Sequence, residues 1–375
     1  AGGMADGPLA AWLAGELAPR GFAVVRRLSG TGTCTVYCVA EHGEASGELF
    51  AAKVVGMSGL DAMGRASAQQ EVSFLKGIKT HPNLISYRDS FLAETRLVIV
   101  MSLAEDGDLR GVVKESIAAQ RPIPEPVVLS WMRQTLSGLD HMHNLSVLHR
   151  DLKSSNIFLS GGRRSLQIGD FGISRVLEST RFAESQVGTP AYMSPELMQH
   201  QRYDYKVDMW ATGVVCYELC TLNMPFHAAS LLDIFVQVTE AEPDWDRWAG
   251  LSEELCDVTR CLLQKEPDLR PSAADLLAEP VFAEAVLAVP EELWAVVAPL
   301  EVPTIVKAHS GLQKTSMSVC STTVGSNAIS PSTTSFMMTE KAISLKVEEF
   351  HEMMNALDED GELPQPPLAT EAAAA

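Results

Sequence analysis

The chain has 375 residues, of which 46% are apolar, so it is long enough to bury the core of one large domain or two smaller ones. Its 29 lysines and arginines face 48 aspartates and glutamates, and the net charge of −19 argues against nucleic acid or an anionic membrane as a partner, because both need a clustered basic surface. Neither a signal peptide nor an apolar run of the ~18 residues that a membrane span needs is evident. Seven cysteines without a CxxC pair indicate reduced thiols, so we expect a soluble intracellular protein.

Two regions with different periodicity make up most of the chain. From 21 to 103 the pattern is typical of strands, with one helical interruption over 61–79. From 104 to 285 helical periods dominate, as over 124–144, where proline occupies the opening turn and apolar residues recur at helical spacing. The sequence therefore predicts a small strand-rich lobe followed by a larger helical lobe, together forming one domain.

Further segments flank these two regions. Residues 1–20 are an N-terminal extension, and the Ser- and Thr-rich linker over 286–339 is predicted to be largely disordered, as is the tail over 358–375. Over 340–357 apolar residues recur every three or four positions, which predicts a helix with one apolar face. We expect that face to dock on the chain itself or to pair with a partner, for example as a dimer contact.

The acidic stretch LDEDGEL near the C-terminal end resembles a calcium-binding loop. Asp358, Asp360 and Gly361 would take its third, fifth and sixth positions. Ala356 and Pro367 would then stand at the first and twelfth positions, where carboxylates are needed. The stretch is therefore interpreted as an acidic helix end.

The strongest chemical pattern is VLHRDLKSSNIFL, followed shortly by GDFGISR. Phosphoryl transfer needs one carboxylate that orients the incoming hydroxyl and takes its proton, and carboxylate and amide oxygens that hold Mg²⁺ against the phosphates. Asp151 supplies the first, and Asn156 and Asp170 supply the metal-binding atoms. Lys153 is predicted to neutralise charge on the transferred phosphoryl group.

Together, HRD-x-K-x-x-N and DFG resemble the signature of eukaryotic protein kinases, and further motifs follow in the order of that family. The resemblance implies the two-lobed α+β kinase fold, with ATP and Mg²⁺ as cofactors. It implies that Lys53 of FAAK holds the α- and β-phosphates and pairs with Glu71 of a helix. It also implies structural roles for Asp208 of VDMWATG and for an ion pair between Glu196 of TPAYMSPE and Arg270 of DLRPS.

HRDLKSSNIFL, GDFGISRVL and YELCTL resemble more closely the NIMA-related kinases. By this resemblance the activation loop, which contains Thr189, is phosphorylated on Ser185, and Arg150 clamps the phosphate. Lys153 with Thr189 indicates Ser or Thr acceptors. The nucleotide pocket that the resemblance implies has Met101 as gatekeeper, Ser102, Leu103 and Ala104 as hinge, Phe158 as floor, and Ala51 among its lining residues.

The stretch LSGTGTCTVYCV over 28–39 occupies the place of the kinase glycine loop, G-x-G-x-x-G-x-V, in one of two registers. In the first, Gly30 and Gly32 are the first two glycines, Thr35 replaces the third, and Tyr37 covers adenine. A tyrosine hydroxyl on an apolar roof would need a hydrogen-bond partner, which makes this register the costlier one.

In the favoured second register Val36 covers adenine and Leu28 precedes the loop. Ser29, Thr31 and Cys34 then occupy all three glycine positions. Because their Cβ atoms push the strand away from the phosphates, we expect weakened ATP affinity with retained catalysis. Cys34 is also a candidate redox or electrophile site, although a small residue tolerated in the loop is the favoured interpretation.

The sequence thus predicts a kinase of the non-specific Ser/Thr class that acts on protein substrates, with neither nucleic acid nor membrane as partner. The alternative is a pseudokinase or scaffold that binds nucleotide without turnover, which the altered glycine loop motivates. The family resemblance implies a cytoplasmic location, with cytoskeletal and ciliary structures as candidate sites of action.

Overall fold

The chain divides into two units, Ala1–Pro299 and Leu300–Ala375. The second unit lies outside the described residues, and with it the predicted helix over 340–357, the tail and most of the linker. The computed structural model describes residues 7–31, 34–41, 48–58, 72, 76–77, 80–170, 190–228, 230–248, 250–284 and 289–299.

A five-stranded antiparallel sheet forms the first lobe, in the order β1-β2-β3-β5-β4. Valine, isoleucine and phenylalanine recur in these strands and suit a pleated, half-buried surface. Of the predicted helix over 61–79, residues 72, 76 and 77 are described, and they are helical. The strands are β1 (Phe22–Thr31), β2 (Cys34–Glu41), β3 (Leu49–Gly56), β4 (Tyr87–Ala93) and β5 (Arg96–Ser102).

The predicted N-terminal extension contains a helix, α1 (Pro8–Leu17), which packs on one face of the sheet. Ala10, Leu13 and Leu17 are at most 2% exposed and contact a cluster that includes Tyr37. An extension separate from the domain is therefore the wrong description for residues 8–17. Sequence reasoning missed the helix because its partners are strands further along the chain.

The second lobe is helical, with a small two-stranded sheet at its cleft side. The predicted helix over 124–144 is confirmed as Glu125–Asn144, and its apolar stripe is fully buried. No helix in the described ranges is long and apolar enough to cross a membrane. The elements are α2 (Leu109–Ala119), α3 (Glu125–Asn144), β6 (Ile157–Ser160), β7 (Ser165–Ile168), α4 (Pro195–Met198), α5 (Lys206–Thr221), α6 (Leu231–Glu240), α7 (Glu253–Leu262), α8 (Ala273–Leu277) and α9 (Pro280–Glu284).

A further helix, α10 (Glu291–Val297), stands where the disordered linker was predicted to begin. Trp294 is 7% exposed, and its ring centroid lies 6.3 Å from that of Trp131. The buried Arg163 donates a hydrogen bond of 2.9 Å to the Val297 carbonyl oxygen. The linker prediction is thus wrong for this helix, because burial of one indole and a backbone hydrogen bond hold the segment on the lobe.

Replacing Trp294 with alanine should lower the free energy of unfolding by about 3–5 kcal/mol, the usual cost of emptying a buried aromatic site. Denaturant unfolding of the full chain measures the change. Glu292→Ala, an exposed position in the same helix, is the matched control and should stay within about 0.5 kcal/mol of the wild type. Equal effects of the two substitutions would contradict a packed role for α10.

Candidate active site

The pairing of β2 with β3 determines which side chains face the cleft between the lobes. Val36 lies opposite Lys53, and Tyr37 lies opposite Ala52. Because directly opposed residues share a face of the sheet, Val36 is on the face of Lys53. Tyr37, 3% exposed, is on the other face, in the cluster with α1. That Val36 covers adenine remains a prediction, and the pairing gives it the geometry the role requires.

Val36→Ala should weaken ATP binding by roughly tenfold, since about two buried methyl-sized groups are lost from the face that carries Lys53. Tyr37→Phe is the matched control on the opposite face of the same strand, and it should leave the ATP dissociation constant within about twofold of the wild type. Calorimetric titration with ATP and Mg²⁺ measures both. The reverse pattern would favour the first glycine-loop register.

The hairpin at the start of β2 depends on Gly30. Its φ of 110° is a backbone angle that residues with a side chain rarely adopt. A Cβ atom added at Gly30 would also lie 2.4 Å from the Cys34 carbonyl oxygen. Thr31 pairs with Cys34, Ser29 is exposed beside the half-buried Leu28, and Gly32 lies outside the described residues. The turn therefore requires a glycine at a position that differs from the three glycine positions of the favoured register.

Cys34, the candidate redox site, lies two residues before Val36 and so shares its face. Burial raises the pKa of the Cys34 thiol, although the positive charge of Lys53 acts in the opposite direction. A raised pKa keeps the thiol protonated, and reactivity belongs to the thiolate. The described geometry does not distinguish Cys34 as a reactive cysteine.

The predicted nucleotide pocket residues lie around the same cleft. Ala51 pairs with Met101 across β3 and β5, and Leu103 and Ala104 follow the end of β5. Ser102, the first predicted hinge residue, exchanges hydrogen bonds of 2.8 and 2.9 Å with Ser86. Phe158 lies on β6 in the other lobe. A Cβ atom added at Gly169 would lie 3.0 Å from the Phe158 ring, so this ring packs closely against the backbone of Gly169.

An ion pair joins the two lobes across the cleft. Lys53 of β3, 5% exposed, donates to the Asp170 Oδ1 atom at 2.7 Å. Burial opposes ionisation of Asp170, but the charge and hydrogen bond of Lys53 outweigh it, so the pKa of Asp170 lies below its usual value. Asp170 is thus a carboxylate at neutral pH. Glu71, the predicted partner of Lys53, lies outside the described residues.

The HRD-x-K-x-x-N residues form a compact set. Lys153 Nζ lies 2.8 Å from the Asp151 Oδ2 atom. The Asn156 Nδ2 atom donates to the Asp151 carbonyl oxygen at 2.8 Å and to its Oδ2 atom at 3.0 Å. The Asp151 carboxylate is therefore held by an ammonium and an amide, which fixes its orientation.

The donor set beside Asp151 fits Mg²⁺. Since the Asn156 amide nitrogen faces Asp151, its Oδ1 atom is the one directed to a cation, and Asp170 adds a carboxylate. Magnesium typically takes one or two protein oxygens and completes its shell with phosphates and water. Within the described ranges no cluster of three or more His, Cys, Asp or Glu side chains suits a metal. Asn156 and Asp170 would each supply one oxygen to the ion, with phosphate and water oxygens as its other ligands.

Asp208 of α5 forms hydrogen bonds to the backbone of the catalytic loop, the name used for residues 149–156. Its carboxylate, 1% exposed, accepts from the backbone N–H groups of His149 and Arg150, both at 2.9 Å, and lies 2.9 Å from the His143 Nε2 atom. Burial opposes its charge, but these hydrogen bonds and the nearby imidazoles outweigh it, so the pKa of Asp208 is lowered. The carboxylate thus fixes the backbone just before Asp151.

The predicted ion pair between Glu196 and Arg270 is present and buried. Two parallel hydrogen bonds of 2.6 and 2.8 Å join the guanidinium to the carboxylate. Backbone carbonyl oxygens of three other residues accept the remaining donors, so the charge is fully hydrogen-bonded. These residues are Lys206, Gln264 and Lys265.

The activation-loop residues Ser185 and Thr189 lie outside the described residues. Arg150, the predicted phosphate clamp, has a φ of 64°, and its guanidinium lies 5.8 Å from the centre of the Tyr203 ring. Its role as a clamp remains a prediction.

Sequence reasoning missed a polar network beside the catalytic loop. The Tyr192 hydroxyl donates to the Glu218 Oε2 atom at 2.6 Å and lies 3.0 Å from the Ser154 Oγ atom. Arg110 of α2 pairs with the other oxygen of Glu218. The residues of this network lie up to 108 positions apart in the sequence, so no local pattern predicts their contact. Ser154, Tyr192 and Glu218 lie in the motifs HRDLKSSNIFL, TPAYMSPE and YELCTL, but these motifs do not indicate that the three side chains meet.

Comparison with known proteins places this geometry in a family. The family model described as the protein kinase domain matches residues 24–282. The chain is 35% identical over 272 residues to serine/threonine-protein kinase Nek11 of Mus musculus, an alignment that covers 72% of this chain and 42% of that protein. It is 34% identical over 245 residues to serine/threonine-protein kinase nekl-2 of Caenorhabditis elegans, covering 64% of this chain and 68% of that protein.

The match to human Nek11, 34% over 272 residues, covers 41% of that relative, so the chain spans about two fifths of the length of the Nek11 proteins it matches. The similarity extends over the two lobes that hold Lys53, Asp151 and Asp170. The chain therefore belongs to the protein kinase family and, within it, to the NIMA-related serine/threonine kinases.

Proposed function

We propose that this chain is an active protein kinase that transfers the γ-phosphate of ATP, with Mg²⁺, to Ser and Thr hydroxyls of protein substrates. The observation that carries the proposal is the joint placement of Asp151, Lys153 and Asn156, held by hydrogen bonds, with the Lys53–Asp170 pair across the cleft. Family membership supports the same activity.

Each side chain has a distinct task in the proposed reaction. Asp151 orients the acceptor hydroxyl and finally takes its proton, while Lys153 balances charge near the transferred group. Asn156 and Asp170 would hold Mg²⁺, which neutralises phosphate charge when bound. The Lys53 ammonium would move from Asp170 toward the α- and β-phosphates of ATP, since the Asp170 carboxylate and the phosphates compete for the same positive charge.

Activation is proposed to follow phosphorylation of Ser185 with Arg150 as the phosphate clamp. The Arg150 guanidinium lies 5.8 Å from the centre of the Tyr203 ring, and a guanidinium can form bidentate hydrogen bonds to a phosphate. We also place the enzyme in the non-specific Ser/Thr class and in the cytoplasm, with cytoskeletal and ciliary structures as candidate sites of action.

Apart from the altered glycine loop that motivates it, nothing in the described residues favours the pseudokinase alternative. A chain that had lost phosphoryl transfer would be expected to lack one of its metal-binding or proton-accepting groups. Asp151, Asn156 and Asp170 are all present, and Lys53 is in place.

The test is transfer of labelled phosphate from ATP to a generic Ser- and Thr-containing protein, followed by phosphoamino-acid analysis. We expect labelled phosphoserine and phosphothreonine with the wild type, and label reduced to background with Lys53→Met. Equal, negligible label with both proteins would overturn the proposed activity.

A further inference from the structure

The network around Glu218 contains a buried carboxylate whose negative charge is neutralised by another side chain of the same chain. The Glu218 side chain is 1% exposed, and its two oxygens are held by the Arg110 guanidinium and by the Tyr192 hydroxyl. The Arg110 side chain is 43% exposed. The buried Glu218 carboxylate is therefore neutralised by the Arg110 guanidinium, which reaches it from the protein surface.

This ion pair lies beside the loop that receives the acceptor. Tyr192 connects Glu218 to Ser154, and Ser154 follows Lys153 directly in the chain. Burial and the negative charge of Glu218 raise the pKa of Tyr192, so its hydroxyl keeps the proton that it donates. Three side-chain contacts thus link the exposed Arg110 to the catalytic loop.

A charge this near to Lys153 would act on the residues that flank the acceptor in a bound peptide. A buried carboxylate left without a cation is costly, so it would accept an arginine or lysine side chain from a bound peptide. With Arg110 in place, the same peptide cation instead meets a like charge, which is unfavourable. An acidic or uncharged peptide residue meets no such repulsion.

We propose that Arg110 is a specificity-determining residue. By neutralising Glu218 from within the chain, it disfavours arginine and lysine beside the acceptor and favours uncharged or acidic residues there. The inference rests on the proposed kinase activity, and it names the class of acceptor on which that activity acts.

The experiment uses peptides with a single serine that are identical except for Ala, Arg or Glu at one flanking position at a time. The kcat/KM of each is measured with the full chain. The wild type should turn over the Arg peptide less well than the Ala and Glu peptides at one or more positions. In Arg110→Ala the Arg peptide should gain about tenfold or more relative to the Ala peptide there, which corresponds to about 1.4 kcal/mol.

Two controls separate local charge from other effects. Arg110→Lys retains the cation and should keep the wild-type order of peptides. Arg260→Ala removes a comparably exposed, ion-paired arginine from α7 and should also keep it. A gain of the Arg peptide in Arg260→Ala equal to that in Arg110→Ala would overturn the inference, because net charge would then explain it.

Glu218→Gln tests the same idea without creating an unpaired buried carboxylate. Arg110 then lacks its carboxylate partner, so the kcat/KM of the Glu peptide should rise further relative to that of the Arg peptide. An unchanged peptide order in this variant and in Arg110→Ala, with the Ala peptide still turned over, would overturn the inference and leave the kinase activity standing. No turnover of any peptide by the wild type would overturn both.

Discussion

Replacing Asp151 with asparagine should lower kcat by about 100- to 10,000-fold, the range that removal of a general acid–base group produces. The amide keeps the size of the side chain but cannot accept the acceptor proton. The ATP dissociation constant should change little, because the substitution leaves Lys53 and Asp170 in place. Steady-state kinetics and calorimetric ATP titration measure the two quantities separately.

Asp257→Asn is the matched control for this prediction. Asp257 carries an exposed carboxylate in a surface ion pair with Arg260, so the same chemical change there should leave kcat within about twofold of the wild type. If Asp151→Asn retained wild-type turnover, Asp151 would not be the proton acceptor of the proposed reaction.

Replacing Arg270 with alanine should lower the free energy of unfolding by about 3–5 kcal/mol, because it leaves the Glu196 carboxylate buried without its cation. It also leaves three backbone carbonyl oxygens without their donor. The effect should be among the largest of any single substitution in the second lobe. Denaturant unfolding with a constant slope measures it.

A surface pair and a paired substitution serve as controls. Arg260→Ala breaks an exposed ion pair and should cost about 1 kcal/mol or less. The double variant Arg270→Met with Glu196→Met removes both buried charges and should be more stable than Arg270→Ala, since no unpaired charge remains. A double variant no more stable than Arg270→Ala would show that lost packing, rather than an unpaired charge, dominates.

The chemical core was predictable because phosphoryl transfer needs particular atoms at a particular spacing. Asp151, Lys153 and Asn156 lie within six residues of one loop, so their proximity follows from the chain itself. Residues distant in sequence were predictable where a known family order supplied the pairing. The Glu196–Arg270 pair, joined across 74 positions, is the clearest case.

Other features depend on tertiary packing that local patterns do not encode. The alternation in β2 does not show which of its side chains share the face of Lys53. The pairing with β3 shows it by setting Val36 opposite Lys53, and the glycine-loop register itself stays a prediction. Helices α1 and α10 are short, and their burial depends on other elements, the five-stranded sheet for α1 and Trp131 of α3 for α10. The contact of Arg110 with Glu218 is likewise invisible in the sequence, because both residues lie on helices with ordinary helical spacing.

We expect the altered glycine loop to set how tightly ATP is held and to leave phosphoryl transfer intact. The most direct measurement compares kcat and the KM for ATP of the wild type with a variant carrying Ser29→Gly, Thr31→Gly and Cys34→Gly. We predict measurable kcat in both proteins, equal within about twofold, and a KM for ATP several-fold lower in the variant. A negligible kcat in the wild type, or a kcat that rises in the glycine variant at unchanged KM, would show that the loop limits phosphoryl transfer rather than ATP affinity.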